Sequence, residues 1–181
     1  MGAVKTLFTF KEFERMEFKP GKQELIRGEL IELPPPEIKH QKISHRIFKT
    51  LDAAVEQAQA RGEAIHLGVA YHETGYKFPD NTYLIPDVSV THAKQAENRY
   101  LEGAPAIAVE ILSPSNTGKL MDAKMKIYFE FGALEVWHVN QRNRNFTIYY
   151  PDGSSVLIED SSVTTTLIPG FLLRIADVFG A

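Results

Sequence analysis

Cysteine is absent from the 181-residue chain. That excludes disulfides, thiolate metal sites and a cysteine nucleophile together. No run of about eighteen apolar residues occurs, so a membrane-spanning helix is not expected. The opening stretch MGAVKTLFTFKEFERMEFKP has no apolar segment followed by a small-residue cleavage site, and so does not read as a signal peptide. Gly2 and Thr6 fit a loose N-myristoylation pattern, but the motif is short. These absences together point to a cytoplasmic protein. An excess of positive charge is also missing: 20 Lys and Arg stand against 23 Asp and Glu, for a formal net charge of −3. Domains held on nucleic acid mainly by phosphate contacts are usually basic, so any such contact here must come from a local patch. No glycine-rich phosphate loop is present, and the six histidines form no tight ligand pair of the zinc type.

The hydrophobic content of 44% is ample for a core, and the length fits one domain over residues 1–181. TFKEFERM, with a threonine cap and Phe10, Phe13 and Met16 at helical spacing, predicts a short N-terminal helix over about residues 9–17. ELIRGELIEL alternates around Gly28 like two strands joined by a turn, and Pro34–Pro36 then breaks the pattern. From His40 to Gly62 the period turns helical, with Ile43, Ile47, Leu51, Ala54 and Ala58 on one face. Strands are expected at 64–73, at 82–91 across Pro86, and at 105–114, the last apolar enough to be central. A helix over 116–132, capped by Asn116 or Thr117, precedes strands at 133–140, 144–151 and 154–160. The order describes a mixed α/β (α+β) fold.

Two carboxylates stand out. Asp87 follows Pro86 inside LIPDVSV, and Glu110 sits in the middle of AIAVEILSP. A charge on a buried strand is costly unless it is paired or coordinated. Two carboxylates on neighbouring strands repel each other unless a cation lies between them, and hard oxygen ligands suit Mg²⁺ or Mn²⁺. Lys119, Lys124 and Lys126 follow on the next helix, and a lysine nearby would steady developing negative charge. Asp, Glu and Lys together suggest phosphodiester hydrolysis. Each has a plainer explanation: Asp87 as a strand terminator, Lys124 as a solvated helix residue, His40 as a helix-start residue, and the aromatics Tyr128 and Trp137 as core.

Six segments carry a family resemblance: ELIRGELIELPPP, IPDVSV, VEILSPSNTG, MDAKMKIYFEFG, LEVWHVN and IPGFLLRIADVF. In this order and spacing they resemble the Uma-two (Uma2) family of restriction-endonuclease-like proteins, in the PD-(D/E)XK nuclease superfamily. The resemblance implies a restriction endonuclease-like mixed β-sheet flanked by helices, with the site at the sheet's open edge. It implies metal-dependent cleavage of DNA, with Asp87 and Glu110 as metal ligands and the Ile111 carbonyl as a further one. The superfamily's lysine falls two residues after the second acid, where this chain has Leu112. Lys124 in DAK is the family's matching lysine, with Lys126 as a neighbour that could serve instead. Glu29 matches an early family acid, His40 matches a family histidine, and a homodimer is implied. The alternative is a nuclease-like module that binds nucleic acid or a protein without cutting, which Leu112 and the acidic balance favour. A purely structural dimerisation module is a third reading.

Overall fold

A computed structural model of the chain describes residues 6–17, 19–113 and 118–180. Helix α1 (Phe10–Phe13) precedes β1 (Lys22–Ile26), β2 (Glu29–Leu33), the long helix α2 (Ile38–Ala60), β3 (Leu67–His72), β4 (Tyr76–Phe78) and β5 (Thr82–Leu84). Next come β6 (Val88–His92), β7 (Leu101–Glu102), β8 (Ile107–Leu112) and helix α3 (Gly118–Glu130). The chain closes with β9 (Glu135–Asn140), β10 (Asn145–Tyr149), β11 (Ser155–Ile158), β12 (Ser162–Val163), β13 (Leu173–Arg174) and α4 (Ile175–Phe179). The larger sheet has six strands in the order β11-β10-β9-β8-β6-β3, and the smaller has five in the order β2-β1-β5-β4-β7. β8 and β9 run parallel and α3 links them, while β6 pairs with β8 antiparallel. The fold is therefore mixed α+β, with mixed sheets flanked by helices.

Strand alternation decides what faces what. Ile107, Val109 and Ile111 of β8 join Val88 and Val90 of β6 in the main core, against Ile43, Ile47, Leu51 and Val55 of α2. The intervening Ala108 faces the other way, into a second core with Tyr76, Phe78, Ile127 and Tyr128. Glu110 shares that second face. The Arg27–Gly28 turn between β1 and β2 has φ of 48° and 86°, the left-handed pair that a two-residue hairpin demands.

Two expected elements come out differently. The N-terminal helix is only four residues long, although Thr9 and Glu12 form the full capping box; beyond Phe13 the chain follows Pro20 and Gly21 into β1. The strand expected over 82–91 is two strands in different sheets: β5 belongs to the smaller and β6 to the larger. Pro86 lacks the N–H that a continuous ladder would need, and the chain changes sheets there. The expected caps of α3, Asn116 and Thr117, lie outside the described residues. Among the described residues no helix is long and apolar enough to cross a membrane.

Gly75, just before β4, leaves room for the neighbouring strand β5 in the same sheet, because a Cβ there would overlap the Tyr83 ring. That ring is fixed among Phe10, Phe13 and Tyr100, with centroids 5.7, 5.4 and 5.3 Å away. Gly75→Ala is expected to lower stability by about 1–3 kcal/mol through overpacking. A urea titration should show a reduced midpoint with an unchanged slope.

Candidate active site

Asp87 stands one residue before β6, at the sheet crossing, and is fastened to β8 from both ends. Its N–H donates to the Val109 carbonyl at 3.0 Å, and its Oδ2 accepts the Ile111 N–H at 2.7 Å. Val88 is opposite Val109 in the ladder, so one step further Asp87 falls beside Glu110. Glu110 in turn lies opposite His138 of β9. Three polar side chains thus stand in a row at one end of the larger sheet, on the face that carries α3.

Lys124 reaches the row from above. It shares the buried stripe of α3 with Met121, Ile127 and Tyr128, a spacing of three and four residues that places it toward the sheet. Its Nζ lies 2.6 Å from Glu110 Oε1 and 2.9 Å from Glu24 Oε1. The Tyr128 hydroxyl donates to the same Glu110 oxygen at 2.8 Å. Glu24, on β1, also accepts the Ile85 N–H at 2.7 Å. Two residues earlier on β1, Lys22 pairs with Asp87 Oδ1 and sits 3.5 Å from Glu73 Oε1. His40 Nε2, buried, is 3.1 Å from Asp87 Oδ1 and pairs with its charge. A cavity of about 270 Å³ opens onto Lys22, His40, Asp87, Glu110 and Lys124, walled on one side by Pro34–Pro36.

Asp87, Glu110 and Lys124 are therefore brought together. Lys126 is exposed, and Lys124 is the buried lysine. Glu29 begins β2 at the hairpin, half-buried, and does not line the cavity; the β1 carboxylate that reaches the cluster is Glu24, buried behind Lys124. Ile111 contributes its amide, to Asp87, and is likewise not part of the cavity wall. Lys22, Glu24 and Glu73 were not singled out from sequence, and Tyr128 was read only as core. Lys22 and Glu24 had a signal, two charges two apart on an alternating strand; Glu73 had none.

Electrostatics follow from burial. Burial opposes the Lys124 ammonium, but Glu110 and then Glu24 outweigh it and hold it charged. Burial also opposes the Asp87 carboxylate, yet Lys22 and His40 keep its pKa below the ordinary range. For Glu110 burial prevails over Lys124, Asp87 and Glu24 add to it, and the carboxyl is pushed up to about 7. His138 is held neutral, its pKa lowered to about 4 by burial and by Lys124.

A divalent cation fits this donor set. His40, Glu73 and Asp87 each offer a ligand atom within 4.8 Å of the others. Four carboxylates, Glu24, Glu73, Asp87 and Glu110, face two ammonium groups, Lys22 and Lys124, which leaves a formal −2. Carboxylate oxygens with one imidazole are acceptable ligands for Mg²⁺ or Mn²⁺.

Comparison with known proteins gives the family and the fold. The Uma2 family, described as putative restriction endonuclease, matches residues 10–176. The chain belongs to the Uma2 family. The Uma2 fold seen here is similar to the crystal structure of a putative nuclease belonging to DUF820 from Anabaena variabilis. The two are 22% identical over 95% of this chain and 97% of that one, with a TM-score of 0.79; at that identity the likeness speaks for the fold. No curated protein matches the chain.

The raised Glu110 pKa fixes the sign of a pH effect on stability in this Uma2 protein. The folded state holds the proton more tightly than the unfolded chain does. The contribution is therefore fully present below pH 4.5 and is lost as pH rises through about 7. Glu110→Gln removes that dependence. The stability difference between wild type and Glu110→Gln, from urea titrations at pH 4.5 and 8, should shift against wild type by on the order of 3 kcal/mol. An unchanged difference would contradict the raised pKa.

Proposed function

We propose that the chain is a metal-dependent endonuclease that hydrolyses DNA phosphodiester bonds. The observation that carries this reading is the meeting of Asp87, Glu110 and Lys124 at one cavity, with His40 and Glu73 alongside. Asp87, His40 and Glu73 would hold Mg²⁺ or Mn²⁺, with Glu110 and the Ile111 carbonyl as the further ligands implied by the family resemblance. When bound, such an ion neutralises phosphate charge and lowers the pKa of water.

The chain's own residues supply the rest. Lysine has three N–H donors; among the described residues Glu110 and Glu24 take two of those on Lys124, and the third would meet the developing charge on the phosphate. Preorganised positive charge in a dry site is a large catalytic term. Glu110 faces the cavity with one oxygen held by Lys124 and Tyr128, which orients its carboxylate toward the ion and the phosphate. Glu24 takes, in this reading, the place the resemblance gave to Glu29. DNA is the substrate, and a homodimer would address both strands.

The alternative, a binding module without turnover, rested on Leu112 standing where the superfamily has lysine. Lys124 supplies an ammonium beside the same glutamate, which supports the enzyme over the module. Calorimetric titration of Mn²⁺ and a plasmid-nicking assay test this. Wild type should bind the ion and nick DNA; Asp87→Ala should do neither. Lys124→Met should still bind the ion while cleavage falls roughly a hundredfold or more. Ion binding without cleavage of single- or double-stranded DNA would favour the module.

A further inference from the structure

Asp87 has two carboxylate oxygens, and one is already committed. Oδ2 accepts the Ile111 N–H, a bond that also fixes the side chain's rotation. Oδ1 carries no backbone bond, and it is the oxygen that lies 3.1 Å from His40 Nε2. Lys22 Nζ occupies this same oxygen, and it reaches the second acidic ligand as well, at 3.5 Å from Glu73 Oε1. The ammonium therefore stands between the two carboxylates of the three-residue donor set, where a bound cation would have to sit. His40 Nε2 faces the same oxygen at 3.1 Å, so the three donor atoms and the ammonium share one small volume.

Lysine suits this position. Its charge is a compact point on a flexible stem, Lys22 lines the open cavity, and its side chain is only 15% exposed. Its remaining polar contact is long, with the Ile85 carbonyl at 3.4 Å. It can thus leave Asp87 for the cavity without unmaking a strong bond elsewhere.

We propose that Lys22 is a resident counter-cation: it neutralises Asp87 and Glu73 in the metal-free protein and competes with the divalent ion for them. The inference rests on the metal-dependent reading and adds to it a residue that sets metal affinity. Without the ammonium, Asp87 is a buried carboxylate lacking its main partner, which is costly until an ion arrives. Charge removal at Lys22 therefore has opposite effects on the two states, lowering the stability of the metal-free protein and raising its affinity for metal. A merely structural contact would lower both.

The test is calorimetric titration of Mn²⁺ into the full chain as wild type and as Lys22→Met, with melting curves at each metal concentration. Lys22→Met should bind Mn²⁺ about tenfold tighter or more, a coupling of ordinary size between two sites. It should also melt lower without metal and gain more from it than wild type does. If Lys22→Met does not fold without metal, Lys22→Gln, which removes the charge but keeps a donor for Asp87, provides the same comparison. Wild-type binding with equal or weaker binding by the neutral variants would overturn the role of Lys22 and leave the metal site standing. No binding by any of the proteins would overturn both.

Discussion

The Ile111 amide donates to Asp87 just where the ladder between β6 and β8 runs out, and the site is built outward from that bond. A carboxylate takes the place of a backbone carbonyl as the next acceptor along the edge. This holds Asp87 beside Glu110 with one oxygen turned to the cavity. Every other charge in the cluster answers to that choice. Lys22 balances Asp87, Lys124 balances Glu110, and Glu24 holds Lys124 from the far side. A carboxylate brought this far out of water demands such compensation, since its desolvation costs several kcal/mol even after relaxation.

Pro86 makes the arrangement possible. It ends pairing in the smaller sheet after β5 and releases the chain to the larger one, so the crossing segment 85–87 lies between β1 and β8. Side chains of β1 hold that segment: Glu24 takes the Ile85 N–H and Lys22 reaches toward its carbonyl. The first hairpin, whose sequence looks like simple alternation, thereby supplies two of the charges around the site. A second sheet packed at the end of the first is how the fold buries ionic groups without exposing them to bulk water.

The sequence carried the elements well where one period ruled. The apolar stripe of α2 and the continuous run of β8 were legible because each element is covered along its whole core face. It misled at 82–91, where apolar residues continue across Pro86 although the chain changes sheets, because hydrophobicity records burial and not which sheet does the burying. Asp87 and Glu110 were legible for an energetic reason, as charges in strands too apolar to be solvated. Lys124 was half legible: Met121, Ile127 and Tyr128 mark a buried stripe, and a lysine inside that stripe must find a partner. Glu73 was not, since its place beside Asp87 depends on the return of β3 against β6, a long-range pairing with no local mark. Glu29 drew attention through a motif, while Glu24, five residues earlier, occupies the position that faces Lys124.

The displaced lysine shows what the geometry constrains and what it leaves free. In the superfamily pattern the residue two after the second acid points to the same face as that acid, because strand side chains alternate. Position 112 is therefore on the α3 side, as Glu110 is, and a lysine there would rise beside it. Here Leu112 lies at that position, and Lys124 descends from α3 onto the same oxygen of Glu110, 2.6 Å away. The two origins, strand and helix, deliver an ammonium to one volume of space. What is fixed is the charge at the carboxylate; the backbone that carries it can change as long as a helix covers that face. This exchange places the lysine inside a packed stripe, between Met121 and Tyr128, so its position is set by the core rather than by a free strand end. An ammonium held in this way gives up reach and gains fixed orientation, which is what stabilising charge in a dry site requires.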